Sequence, residues 1–494
     1  MSGRLRVFLT RVSHYFVGNG LAVFSGVISY PILTRALGPE AYGIMGLISS
    51  VLLGTVALGK LGVQNAIVRQ HAEARQQGKL ATLASTLMAF GLAAGATAAL
   101  AQAGVSLALG GLGVIQVPLV VLLILTAPLV LVRTCHSFSM SFIRAEESTR
   151  LYNVIDVLLR YLSLGLALLF VFFIIGGVEG FYTGILCAEA VMVGVALWHA
   201  RKLTGFSFSE RPDRATLSAA LAFGLPLLAF ELTNVLLAFG DRVLIKVLLS
   251  DEALGHYTAA YNLGNTLQSF ILLPLALAIQ PMYMRIWAEE GAAATAQFLE
   301  RAGALFILMA IPSIAGVAAV REPLVELLAG ELYMAGADVL PLTFAGFVLY
   351  GGYAVFAAGL FLHKETARMA VAVGAACALN LGLNALLIPP LGIMGAAVAT
   401  LCSYTLAIVV LTWMAFKRLR FGLPWGAMAR VSLMSAVMFA AVRWIELGEP
   451  WWTLLARVPV GAAVMAVMVG ADRRSLELIR DILRQRSGGE RKAE

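Results

Sequence analysis

The chain has 494 residues, of which 60% are hydrophobic and 13% charged, with a mean hydropathy of +0.86. Soluble domains are about 25% charged, so there is too little charge here to coat soluble surfaces, and an ordinary soluble enzyme, a disordered chain and a disulfide scaffold are excluded. The net charge of +8 raises nucleic acid as a partner, a question that the placement of the charges must decide.

A membrane-spanning helix needs about 20 mostly apolar residues. About fourteen such stretches follow one another, roughly 12–34, 42–64, 80–104, 117–143, 154–176, 180–200, 217–249, 257–284, 302–320, 338–362, 369–388, 392–416, 430–446 and 451–470. The first follows Arg4, Arg6 and Arg11, is long and lacks a small-residue cleavage site, so it reads as a first transmembrane helix rather than a signal peptide. Connections are short throughout, and no soluble catalytic domain fits between the spans. Cys135, Cys187, Cys377 and Cys402 lie in apolar stretches without metal-like spacing and are expected to be buried small hydrophobes. In the polar tail, 471–494, Leu476, Ile479 and Leu483 share a helical face, as in an interfacial helix.

Basic residues mark the cytoplasmic loops of membrane proteins. With the N-terminus in the cytoplasm, alternate connections carry Arg69, Arg75 and Lys79, then Arg144 and Arg150, Arg201, Lys202, Arg211 and Arg214, Arg285 and Arg301, Lys364 and Arg368, and Lys417, Arg418, Arg420 and Arg430. These loops and the two termini hold about three quarters of the 36 basic residues. The opposite loops 104–116, 176–179, 250–255, 389–392 and 446–450 have none. The basic excess is therefore chiefly a topology signal with both termini cytoplasmic, and nucleic acid is not expected as a partner.

The chain also repeats itself. Leu37-Gly38-Pro39-Glu40-Ala41-Tyr42-Gly43 opens the second span, and Leu249-Ser250-Asp251-Glu252-Ala253-Leu254-Gly255 opens the eighth. Gly180 and Gly392, before the sixth and twelfth spans, are as far apart as Gly43 and Gly255. Six spans separate the copies, so they share an orientation. The expected organisation is spans 1–6 (residues 1–205), spans 7–12 (206–420), two added spans (421–470) and a cytoplasmic tail (471–494).

Four motifs in order carry a family resemblance. The segment Tyr30 to Gly43 resembles the N-terminal signature of the polysaccharide (O-antigen, Wzx-type) flippases, of the multidrug/oligosaccharidyl-lipid/polysaccharide exporter superfamily. Leu61-Gly62 through Val68-Arg69 is similar to the end of that family's second span. Phe223-Gly224-Leu225-Pro226, Asp241-Arg242, Gly255-His256-Tyr257 and Ala260-Tyr261 look like its seventh and eighth. Asn380, Asn384, Ile388-Pro389 and Gly392 to Thr400 resemble its eleventh-to-twelfth junction. The resemblance implies an all-α, MATE-like polytopic membrane protein, with about fourteen helices in two lobes around a central cavity. It implies translocation of undecaprenyl-diphosphate-linked oligosaccharide from the cytoplasmic to the periplasmic leaflet of the bacterial inner membrane. It further implies membrane lipid, H⁺ or Na⁺, and a polysaccharide polymerase or co-polymerase as partners, with no cofactor, no metal and no enzymatic activity.

An ionisable residue deep in a span normally faces a cavity or a partner. Arg133, Glu189 and Glu231 are deepest by position, with Asp241 and Arg242 in the outer third of span 7. Arg35, Lys60, Asp156, Arg160 and Lys246 lie nearer span ends, where long side chains snorkel. The same default covers Arg443 and Arg457. In span 7, Glu231, Asn234, Ala238 and Asp241 share a helical face, bracketed by Pro226 and Gly240. Such a stripe suits either a cavity wall or a hydrogen-bonded helix contact. Asn262, Asn265 and Gln268 in span 8, Asn380 and Asn384 in span 11, and Asn19 in span 1 add amides that suit sugar hydroxyls or helix–helix bonding equally. The expected roles are Arg35, Arg133 and Arg242 for the diphosphate and charged sugars, Asn262, Asn265, Asn380 and Asn384 for the glycan, and Glu231 and Asp241 for ion coupling. Three other readings stay open: a peptidoglycan-precursor flippase, a drug/cation antiporter of the same superfamily, and a membrane glycan polymerase or ligase.

Overall fold

A computed structural model describes residues 2–472 and 476, with side chains from Phe24 onward except at 273, 274, 276, 277 and 366. The side chain of Asn19, and the tail apart from residues 471, 472 and 476, lie outside the described residues. The described residues contain no strand. The first helices are α1 (Ser2–Lys60), α2 (Val63–Gln76), α3 (Leu80–Gly111), α4 (Val117–Ala145) and α5 (Thr149–Leu169, prolonged by a π turn over Phe170–Ile174). They are followed by α6 (Gly177–Thr204), α7 (Arg214–Leu248), α8 (Asp251–Glu289) and α9 (Ala292–Leu328). The remainder are α10 (Val339–Gly351), α11 (Tyr353–Phe356), α12 (Ala358–Leu362), α13 (Thr366–Leu391), α14 (Ile393–Phe416), α15 (Trp425–Arg443) and α16 (Pro450–Ala471).

Twelve runs among the described residues are long and apolar enough to cross a membrane. The difference from fourteen has two sources. The first run contains both expected N-terminal spans, because α1 passes through a single non-helical residue, Gly38, at φ 71° and ψ 171°. That conformation is open to glycine at little cost, and Pro39 follows it, so the two spans are arms of one bent helix. The expected eighth span lies in α8, outside the twelve. The chain is a multi-pass membrane protein. Large apolar side chains such as Leu100, Phe173 and Leu386 stand exposed on the helices, as a lipid-facing surface requires.

Local signals end the helices where the sequence places polar or glycine residues. Asp213 caps α7, its carboxylate accepting from Thr216 N at 2.9 Å. Gly205, at φ 74°, closes α6 by donating to Arg201 O. Pro118 and Pro450 occupy the first turns of α4 and α16, where proline's missing N–H costs nothing. Neither Pro226 nor Gly240 breaks α7, which is continuous.

The helices form two compact units, Met1–Gly255 and His256–Glu494. In the first, α4 packs between α3 and α6 and also touches α1, α2 and α5, while α7 lies against α1, α2 and α3. Val63, Ile67, Leu87, Phe138, Phe142 and Phe206 build a core where α2, α3 and α4 meet the loop after α6. Two glycine pairs bring backbones together. A Cβ on Gly62 would stand 2.0 Å from Gly224 O, and one on Gly255 would stand 1.9 Å from Pro39 O. Gly43 packs reciprocally on Asp251 and Gly255, so the two repeat turns touch. Small residues let spanning helices approach this closely.

In the second unit α13 packs on α14, α10 on α14 and α9, and α15 and α16 on α9. Arg457 departs from the snorkelling expectation. It is 2% exposed, and its guanidinium donates to Ile445 O at 2.9 Å, Arg443 O at 2.9 Å and Ala319 O at 2.7 Å. The carbonyls at the end of α15 have no helical partner, and Arg457 supplies one. Trp425, Trp444, Trp451 and Trp452 are exposed near helix ends, where the indole suits the headgroup layer. Only Cys135 and Cys377 are buried; Cys187 and Cys402 are exposed on α6 and α14. A thiol behaves as a small hydrophobe, and a lipid-facing site satisfies it as well as a core does.

Candidate substrate and ion-coupling sites

The deep charges of the first unit meet one another across helices. Arg133 on α4 forms a fork with Glu189 on α6, its Nε 2.9 Å from Oε2 and its Nη2 2.8 Å from Oε1. Beside it, the buried Tyr182 hydroxyl donates to Met45 O at 2.7 Å and lies 2.9 Å from Ser49 Oγ, tying α6 to α1. Lys60, the last residue of α1, donates to Glu231 on α7, and Gln64 on α2 reaches the other carboxylate oxygen at 3.4 Å. Arg160 pairs with Asp156 one turn away, and Lys246 pairs with Asp251 across the turn from α7 to α8. Four of the six cations that sequence position singles out are thus matched to carboxylates. Two of these pairs are close in sequence, whereas the partners of Arg133 and Lys60 come from distant helices, so spacing along the chain gave no sign of those two.

The two leading pairs keep contact with solvent-accessible space. Side chains of Lys60 and Glu231 are 15% and 31% exposed, and those of Arg133 and Glu189 are 29% and 13% exposed. Arg242 differs. It is buried, lies over the Phe239 ring at 4.7 Å, and donates to Gly46 O at 3.1 Å and Ser50 Oγ at 3.3 Å. Its guanidinium therefore fastens α7 to α1. Asp241 beside it is fully buried, whereas Arg35 on α1 is exposed. The polar face of α7 is turned to α1 and α2 at both Glu231 and Arg242, and Asn234 bonds its own helix at Phe230 O, 2.8 Å away.

The amides of the second unit divide in two. Asn380 and Asn384 on α13 are fully buried, with Asn384 Nδ2 donating to Asn380 O at 2.9 Å and Oδ1 at 3.0 Å. They face each other rather than an open surface. On α8, Asn262 is half-buried and Asn265 exposed. No group of His, Cys, Asp and Glu suited to a metal is found among the described residues.

A family profile described as "Polysaccharide biosynthesis protein" matches residues 8–287, more than half of the chain. The chain belongs to this polysaccharide biosynthesis protein family. No curated protein matches it. Among solved structures it is similar to the lipid II flippase MurJ in an inward closed conformation, with a TM-score of 0.76 at 15% identity, over 95% of this chain and 99% of that one. It is also similar to an inward-facing multidrug resistance MATE family transporter of the MOP superfamily, with a TM-score of 0.66 at 16% identity, over 81% and 94% of the two chains. The outward-facing form of a transporter so described gives 0.58 at 16% identity, over 83% and 95%. The MATE-like fold expected from the motifs is the one found. Gly62 and Gly224 belong to motifs far apart in sequence, and in the fold their backbones are in contact.

Proposed function

We propose that the protein flips an undecaprenyl-diphosphate-linked oligosaccharide from the cytoplasmic to the periplasmic leaflet of the bacterial inner membrane, for polysaccharide biosynthesis. The observation that carries this reading is the pair of partly exposed ion pairs, Lys60–Glu231 and Arg133–Glu189, set on apolar spanning helices of a polysaccharide biosynthesis family member. A sealed ion pair would serve structure alone. A partly exposed one offers its cation to a diphosphate, which can replace the carboxylate at similar geometry. Arg35, exposed on α1, extends the same field. Arg242 is assigned to holding α7 on α1. Glu231 is the group released when Lys60 turns to the substrate, and so the coupling group for H⁺ or Na⁺, with Asp241 as the buried second carboxylate. Asn262 and Asn265 are assigned to the glycan. Both termini are placed in the cytoplasm, and a polymerase or co-polymerase receives the product.

A second reading, a peptidoglycan-precursor flippase, is favoured by the likeness to the lipid II flippase over nearly the whole chain. Deletion of the gene separates the two. The first reading expects a viable cell that accumulates a lipid-linked oligosaccharide on the cytoplasmic leaflet and stops exporting one glycan, with export restored by wild type but not by Arg133→Ala. Rescue of a strain depleted of lipid II flipping, with no such accumulation, would establish the second instead. Unchanged export by Glu231→Gln combined with Asp241→Asn would remove the coupling role.

A further inference from the structure

The tenth span is not one helix. α10, α11 and α12 are three pieces joined at Gly352 and Ala357, and Gly352 N tightens onto Leu349 O at 3.1 Å. At a rise of 1.5 Å per residue the first break lies about 20 Å from Val339 and about 18 Å from Lys364, which is near the middle of a hydrocarbon core about 30 Å thick. Gly352 keeps helical φ and ψ, and Val355 N and Phe356 N donate to its carbonyl, so the span is kinked there with its backbone bonds kept.

The side chains at the break are aromatic and polar without charge. Tyr353, just past Gly352, is 38% exposed, whereas an exposed tyrosine in a spanning helix ordinarily sits at headgroup level. Its ring continues into a layer within the same unit. Tyr350 is tilted against it at 5.6 Å, Tyr404 stacks on Tyr350 at 4.9 Å, and Phe361 flanks it at 6.0 Å. The side-chain amide of Gln268 on α8 comes to the break, 3.0 Å from where a Gly351 Cβ would stand.

We propose that this break is a sugar-binding subsite, with Tyr353 as the stacking ring and the Gln268 amide as the hydrogen-bonding group. A pyranose presents a face of C–H bonds to an aromatic ring and a rim of hydroxyls to amides and phenols. The set contains no cation for a phosphate and no carboxylate for an organic cation. The subsite rests on the flippase reading and adds to it where the glycan, as distinct from the diphosphate, is held.

The test uses the full-length protein in nanodiscs with three probes: undecaprenyl diphosphate, the same lipid bearing an N-acetylglucosamine-containing oligosaccharide, and tetraphenylphosphonium. Wild type should bind the glycan-bearing lipid more tightly than the bare one. Tyr353→Ala and Gln268→Ala should each weaken the glycan-bearing lipid about tenfold, a difference of about 1.4 kcal/mol, and leave the bare lipid unchanged, while Tyr353→Phe stays near wild type. Unchanged affinity for the glycan-bearing lipid in both alanine variants, or equal loss for the two lipids, overturns the subsite. So does loss of tetraphenylphosphonium binding without loss of glycan binding. If wild type binds neither lipid, the flippase reading itself falls, and the subsite with it.

Discussion

In the unit Met1–Gly255 charges pair across spanning helices; in His256–Glu494 the polar groups inside the spans, among the described residues, include amides, phenols and the buried guanidinium of Arg457. The first unit joins α1 to α7 through Lys60–Glu231 and Arg242, and α4 to α6 through Arg133–Glu189. In the second, ion pairs among the described residues gather at helix ends, as Arg321–Asp338, Glu365–Arg418 and Arg430–Asp472. Its mid-span polar groups are Asn380, Asn384, Tyr350 and Tyr353. On the proposed reading the difference suits an amphipathic, charged lipid: paired charges are exchangeable for a phosphate, whereas amides and rings match sugar without attracting the wrong ion.

The largest expected effects strike the backbone contacts that place the first unit's charges. Gly62 is at φ 71°, with Gly224 O where a Cβ would go, and Gly255 has Pro39 O there. Gly62→Ala must push α7 off the turn between α1 and α2, and Gly255→Ala must push the start of α8 off Pro39, each at a cost of about 3 kcal/mol from overpacking alone; with Gly62→Ala, two residues from Lys60, Glu231 should also lose Lys60. Gly104→Ala is the control, because nothing stands within 4 Å of its Cβ position on α3. It should raise stability slightly, since alanine is the better helix former. Thermal unfolding in detergent measures both. A Gly62→Ala protein as stable as wild type would mean that α7 is not fixed through this contact.

A smaller effect is expected at the ion pair. Glu189→Gln leaves Arg133 partly buried without its carboxylate and should cost about 2 kcal/mol, less than a sealed pair because both side chains keep some exposure. Arg133→Gln with Glu189→Gln removes both charges and should recover most of that stability while abolishing export. If the double variant exports normally, the charge of the first unit serves structure only, and its contrast with the second unit loses its functional meaning.

The fold was readable because its determinants are local or periodic. Apolar runs need no partner to be recognised, so the all-α multi-pass fold followed from them, whereas the run of α1 through Gly38 did not, because Gly38-Pro39 lies where the sequence sets a boundary between two separate spans. The site was readable only as a roster. Depth in the span found Arg133, Glu189 and Glu231, but the pairing of Arg133 with Glu189 depends on how α4 meets α6, which no periodicity encodes. Arg242 looked like a substrate cation and proves to be a fastening for α1, since Gly46 and Ser50 become its acceptors only once α7 lies against them. The break in the tenth span escaped notice because Gly351-Gly352 sits within an unbroken apolar run, where composition signals a span and says nothing of its continuity.

The smallest expected effect separates the units by the way each holds a carboxylate at its polar edge. Asp213, before α7, is held below the usual carboxylate range first by the Thr216 hydroxyl, and also by the Thr216 and Ala215 amides. Glu365, before α13, is held below it first by the hydrogen bond from Arg418, and also by the charges of Arg368 and Arg418. A depressed folded pKa means that each contributes stability above the unfolded carboxylate value, and that the contribution fades as pH falls through the lower folded value. Thermal midpoints should therefore decline on the acid side in both units. Salt should distinguish them. The charge part of the Glu365 contribution is screened, whereas neutral hydrogen bonds to Asp213 are not. Raising the salt should flatten the part of the acid decline that Arg418→Ala also removes, and leave the part that Thr216→Val removes. If both parts flatten equally, Asp213 is held by charge as well, with Lys79 as the nearby source, and the two units do not differ at their edges as they do within the membrane.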